Sequence, residues 1–173
     1  MSRNIIDQSY INFAAYKGSN EYLGITKVTL PDIKFLTQNI SGAGIAGNIE
    51  AVIAHVEAMT LNLDFRTTTE EAMSLLEPTR HHLELRVARQ DEDVVEEELT
   101  TAEIKHVFVV IPKNYKGGSI APASTGDASG EYAVRYWKCE IDDETVIEID
   151  PLNYVIKING VDYGRTVARI LGK

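Results

Sequence analysis

Residues 42–47, GAGIAG, set Gly42, Gly44 and Gly47 in the G-x-G-x-x-G spacing, which lets a backbone wrap a pyrophosphate at a helix N-terminus. The stretch that follows, NIEAVIAHVEAM, even spaces Ile49, Val52, Ile53 and Val56 as one face of a helix would. A dinucleotide site needs more: a buried strand directly before the glycines, a βαβ continuation and a ribose-binding carboxylate beyond. The preceding residues, IKFLTQNIS, are too polar for that strand, and the later chain does not alternate helix with strand. A small dinucleotide-binding enzyme using Gly42, Gly44 and Gly47 is thus the lesser reading. A flexible loop or a close backbone contact is the better use of these glycines.

The other chemistry-bearing residues are dispersed. His55, His81, His82 and His106 do not match the two-His helical zinc motif, and adjacent His81 and His82 would point to opposite faces of a strand. Cys139 is the single cysteine, so it cannot form an intrachain disulfide, and it reads as a buried small hydrophobe. G-x-S-x-G, P-loop and Cys-His nucleophile patterns do not occur. Carboxylate pairs arise by chance in so acidic a chain, and nothing aims two of them at one cleft. Tyr132, Tyr136 and Trp137 are expected to pack a sheet or a subunit contact, since no dense basic residues interleave with them for base stacking. The residues therefore predict no enzyme, no cofactor and no metal.

The elements that must position these residues are strands. In AMTLNLDF, Met59, Leu61, Leu63 and Phe65 alternate with Thr60, Asn62 and Asp64, which marks one apolar and one polar face. HLELRVAR repeats the period with Leu83, Leu85 and Val87, and IKHVFVVIP follows as a denser apolar run. EYLGITKVTL is a strand stopped by Pro31. EYAVRYWKCEI, TVIEID and NYVIKINGVDYG resume β character, the last with an Asn159-Gly160 turn. Between strands, TTTEEAMSLLEP has a Thr68-to-Glu71 capping-box spacing and predicts one short helix over about residues 69–77, ended by Pro78. Residues 113–130, rich in Gly, Ser, Ala, Thr and Pro, predict a long flexible exposed loop. The expected fold is mainly β, an antiparallel sandwich or barrel.

At 173 residues, 44% hydrophobic and 25% charged, the chain can fill one core, and a single domain over 1–173 with an N-terminal arm over 1–20 is expected. No apolar run reaches bilayer-crossing length, so no stable membrane association is expected, and the chain is expected to be soluble and cytoplasmic when made. A formal charge of −9 opposes gripping of phosphate backbones. Acidic residues concentrate at Asp91, Glu92 and Asp93, at Glu96, Glu97 and Glu98, and between Glu140 and Asp150. Such runs are ordinarily solvated faces or loops.

Three segments in register, VTLPDI at 28–33, GAGIAG at 42–47 and EIDPLNYVIKINGVDYG at 148–164, together with a basic C-terminal stretch ending near Leu171-Gly172, resemble the FII-type major tail tube proteins of contractile-tailed phages. The resemblance spans nearly the whole chain and is weakest across 90–130. It implies a β-sandwich subunit that joins five copies of itself in a hexameric ring, rings that stack into a rigid hollow inner tube, and a continuous inner barrel. It also implies a contractile sheath, a baseplate or tube initiator, a tape-measure protein, DNA only as passing cargo, assembly in the bacterial cytoplasm, and a mature location in the phage or bacteriocin particle tail. R-type bacteriocins and other DNA-free contractile injection particles use similar subunits and are the alternative.

By that resemblance Gly42, Gly44 and Gly47 are ring-to-ring contact candidates. Tyr10, Phe13 and Tyr16 of the arm, with Tyr163 and Leu171 near the C-terminus, are further interface candidates. Thr60, Asn62, Asp64 and Glu84 are nominated for the lumen, where acidic residues would repel a passing polyanion within a Debye length of about 8 Å.

Overall fold

Met59, Leu61, Leu63 and Phe65 are buried while Thr60, Asn62 and Asp64 are half-buried, so the period-2 pattern of 59–65 becomes a strand with one face in the core. Burial of each such Leu or Phe contributes about 1.5–3 kcal/mol. The structure is a computed structural model that describes residues 4–173. In chain order the strands are β1 (Ile5–Lys17), β2 (Glu21–Leu23), β3 (Ile25–Thr29), β4 (Phe35–Ile40), β5 (Ile49–Val56) and β6 (Met59–Phe65). Helix α1 (Glu70–Ser74) is followed by β7 (His81–Asp93), β8 (Glu98–Lys116), β9 (Ala128–Ile141), β10 (Glu144–Asp150), β11 (Val155–Ile158), β12 (Val161–Asp162) and helix α2 (Arg165–Ile170). All the strand pairs are antiparallel, as the mainly β expectation requires.

The main sheet runs β12-β11-β10-β9-β8-β7-β1-β2 and branches at β9. Residues 137–141 of β9 pair with β10, while residues 128–134 pair with β6. Arg135 is the extra residue of a bulge opposite Val109 and Val110, and it marks where β9 exchanges one neighbour for the other. On the far edge, β2 lies along β1 until Gly24, after which the chain continues as β3 along β6. The sheet thus wraps around Leu23, Ile25, Leu61, Phe65, Leu83 and Phe108 without an unbroken ring of hydrogen bonds. A closed barrel is not formed, and the architecture is sandwich-like.

Several expectations need correction. The helix is shorter than 69–77: Thr69, not Thr68, caps it by accepting from the Ala72 N–H at 3.1 Å. After Ser74 the chain tightens into three-residue turns, Leu76 N–H to Met73 C=O and Glu77 N–H to Ser74 C=O, before Pro78. A second helix, α2, forms where none was expected. Its Gly164 N-cap lies so close to Tyr154 C=O that a Cβ would come within 2.1 Å. Residues 113–116 and 128–130 are strand, which leaves 117–127 as the loop, its base pinned by Ser119 N–H to Gly126 C=O and Gly126 N–H to Arg66 C=O, each 2.8 Å. The segment expected as an arm is β1, paired along β7 from Ile5 to Lys17, with residues 1–3 outside the described part. The Asn159-Gly160 turn has positive φ at both residues, +48° and +84°, as a two-residue hairpin turn demands.

Candidate assembly surfaces

Strands β4 and β5 form a two-stranded sheet of their own, closed at its base by Glu57 N–H to Lys34 C=O. Only Phe35 and Val56, at that base, join the core. Further out, Leu36, Ile40, Ile45, Ile49, Val52 and Ile53 are exposed, Val52 to 67%. Side chains alternate along the regular part of β5, so exposed Ile49 and Val52, three residues apart, face opposite ways and make both faces of β5 apolar. A strand with two apolar faces is the pattern of one covered on both sides, and an isolated hairpin is marginal in water. An exposed apolar element of this kind is a candidate contact surface for another molecule.

Gly42, Gly44 and Gly47 lie in the turn at the tip of this hairpin. Their strand–turn–strand setting overturns the dinucleotide reading, because an exposed antiparallel strand precedes them and no helix follows. Gly42 and Gly44 have φ of +146° and +86°, and a Cβ on any of the three would meet nothing within 4 Å. Close approach to these glycines is therefore unused inside the subunit.

The aromatic candidates divide. Tyr10 is exposed to 68% on the part of β1, Ile5–Ala14, that has β7 on one side and no strand on the other among the described residues. Phe13 is half-buried against the core. Tyr16 is held inside the subunit, edge-on to Tyr22 and under the Arg86 guanidinium at 4.7 Å. Tyr163 is exposed and helps line an open groove of about 300 Å³ between β5 and β11, while Leu171, exposed, caps α2.

The lumen nominees do not form one surface. Asn62 and Asp64 share a polar hollow with Asn114, Lys116, Ser129 and Glu131, and Thr60 accepts from Lys113 Nζ at 3.3 Å. Glu84 sits apart on β7, buried and paired with Arg86 and Lys105. Its charge is neutralised within the subunit, and it offers no free carboxylate to a bore. Across the same sheet, Lys138 pairs with Glu140 at 2.8 Å. Tyr136 donates to Glu148 at 3.0 Å, and burial first, then that carboxylate, push its hydroxyl up to about 12.

The two buried histidines are held by contacts within the subunit. His81 is buried with Nε2 2.9 Å from Glu77 C=O, while His82 is exposed on the opposite face. Trp137 Nε1–H donates to His106 Nδ1 at 3.2 Å, and both rings stack with Phe108. Burial raises the Cys139 thiol.

Compared with known families, residues 7–172 match the family model of the phage tail tube protein FII. The chain belongs to that family. Among solved structures it is similar in fold to the sheath/tube terminator of the extracellular contractile injection system PVC in its extended state, with a TM-score of 0.53 at 11% identity, covering 75% of this chain and 94% of the other. A chain of the PVC sheath-tube complex in its extended state matches with a TM-score of 0.52 at 12% identity, covering 75% and 88%. No curated protein matches the chain.

For a tail tube family member, the exposed hairpin is the feature that reading the residues had missed. The signal was present in IEAVIAHV, where no polar face alternates with the apolar one. The same residues also fit the spacing of one helical face, so periodicity alone does not separate helix from strand there.

Proposed function

We propose that this chain is the structural subunit of the inner tube of a contractile tail or injection particle, without catalysis. Six copies close a ring, rings stack, and the tube transmits the push of a contracting sheath and leaves a conduit. The observation that carries this reading is the β4–β5 hairpin, apolar on both faces and uncovered within the subunit. The edge of β1 that has no strand beside it among the described residues supports it, because an unpaired edge is a template for a strand of the next copy, and a heterologous contact that closes by rotation gives a ring.

In this reading the hairpin, with Gly42, Gly44 and Gly47 at its tip, reaches the adjacent ring. Tyr10, Tyr163 and Leu171 serve lateral or stacking contacts. Asn62 and Asp64 are the better lumen nominees, since Glu84 is internally paired. A sheath protein, a baseplate initiator and a tape-measure protein are the expected partners, and DNA the passing cargo if the particle is a phage. A DNA-free injection particle is the second reading; the solved structures of like fold are components of an extracellular contractile injection system.

Negative-stain microscopy of the purified chain across a concentration series tests the proposal. Rings or tubes of uniform bore are expected. A folded monomer at every concentration, with or without a tube initiator, would overturn it.

A further inference from the structure

The outer halves of β7 and β8 form an arm that ends in the turn 94–97. Val94, Val95 and Leu99 are exposed there, Val95 to 73%, among Glu96, Glu97 and Glu98. The turn is held in shape: Asp93 Oδ1 accepts from the Val95 and Glu96 N–H groups at 3.0 and 3.3 Å, and Val94 N–H donates to Asn4 C=O at 3.0 Å. The result is a fixed tip with apolar side chains surrounded by negative charge.

The opposite pole has the complementary character. The groove between β5 and β11 is lined by Phe35, Val52, Ile53, Ile156, Ile158 and Tyr163. Exposed Val161, Ile170 and Leu171 extend the apolar surface beside it. Helix α2 and the chain after it carry Arg165, Arg169 and Lys173, which outnumber Asp162, whose Oδ1 accepts from the N–H groups of Ile156 and Gly164. Lys34 and Glu57, opposite each other at the hairpin base, offset in charge.

Register fixes the separation. Ile156 pairs with Ile149, Ile149 with Trp137 and Trp137 with Phe108, so the groove is level with Phe108, ten residues along β8 from Glu98. At strand rise that is roughly 33 Å. A subunit cannot fold its own tip into its own groove, whereas a neighbour can supply one. Two chains of charge −9 repel at a distance, so a contact between copies gains from local opposite charge at the point of approach.

We propose that the acidic, apolar β7–β8 tip of one subunit seats in the apolar groove of a second copy, on the side where α2, packed on β11, carries Arg165 and Arg169. This contact rests on the tube reading and names one of its heterologous interfaces. Val94 and Val95 enter the groove, and Glu96 and Glu98 face Arg165 and Arg169.

The test uses two full-length variants, Glu96→Lys with Glu98→Lys, and Arg165→Glu with Arg169→Glu, all at exposed positions. Each alone should need a protein concentration higher by about tenfold or more to form rings or tubes, read by sedimentation and negative stain. Mixed one to one, they should assemble at the wild-type concentration, because each reversed tip then meets a reversed groove. Thermal melting shows whether each variant is folded. Variants that assemble like the wild type, or folded variants that stay apart when mixed, overturn the contact and leave the tube reading standing. A wild type that never assembles overturns both.

Discussion

His106 stays neutral because the protein interior surrounds it and its Nδ1 already accepts the Trp137 N–H. Burial lowers its pKa from 6.5 to about 4. The unfolded chain therefore takes up a proton at higher pH than the folded one, and the stability this site contributes is present above pH 6.5 and lost as pH falls towards 4. About 3 kcal/mol is involved. Melting of the subunit between pH 7 and pH 4 should show this loss, and His106→Phe should flatten part of it; an unchanged slope in that variant would assign the pH dependence elsewhere. Gly130 is the other residue whose neighbourhood is decisive. A Cβ there would stand 2.6 Å from the Tyr132 hydroxyl, and Tyr132 is fully buried and cannot swing aside. Gly130→Ala should destabilise by about 1–3 kcal/mol in urea unfolding.

Strands β4 and β5 divide folding from assembly at the level of the element. Because Val52 and Ile53 touch solvent in the subunit, Val52→Asp with Ile53→Asp should leave the melting temperature of the monomer nearly unchanged and abolish rings and tubes. A variant that melts early instead would make the hairpin a folding element. Glycines give a second contrast. Gly47 has ordinary φ and open space around it, so Gly47→Val should fold normally and impair stacking if the tip approaches a neighbour closely. Gly118→Ala should act in the reverse way, since its Cβ would fall 1.8 Å from Gly126 C=O and the loop base cannot accommodate it. Circular dichroism melts beside ring counts in micrographs separate the two classes.

For the whole molecule, exposed apolar area on the hairpin, on β1 and around α2 means that association should be driven by removal of that surface from water. Dilution calorimetry of assembled rings at several temperatures should give a negative heat-capacity change for association. A value near zero would place the driving force in polar contacts instead.

Much of this was decided by local sequence. The alternation Met59, Leu61, Leu63, Phe65 could describe only a strand with one buried face, and Asn159-Gly160 only a tight turn, because side-chain period and backbone φ are local properties. The segments VTLPDI, GAGIAG and EIDPLNYVIKINGVDYG likewise pointed to the family that the match over residues 7–172 then showed. Other features existed only once distant residues met. Thr69 replaced Thr68 as the cap, and a six-residue helix with one buried side chain, Ala168, formed where periodicity had too little length to speak. Glu84 was polar in an outward position, yet Arg86 and Lys105 close over it, and no reading of one strand can count the charges on its neighbours. The same reason applies to Val52 and Ile53: hydrophobicity says that a residue seeks cover, while only the tertiary arrangement says that its own chain does not provide it.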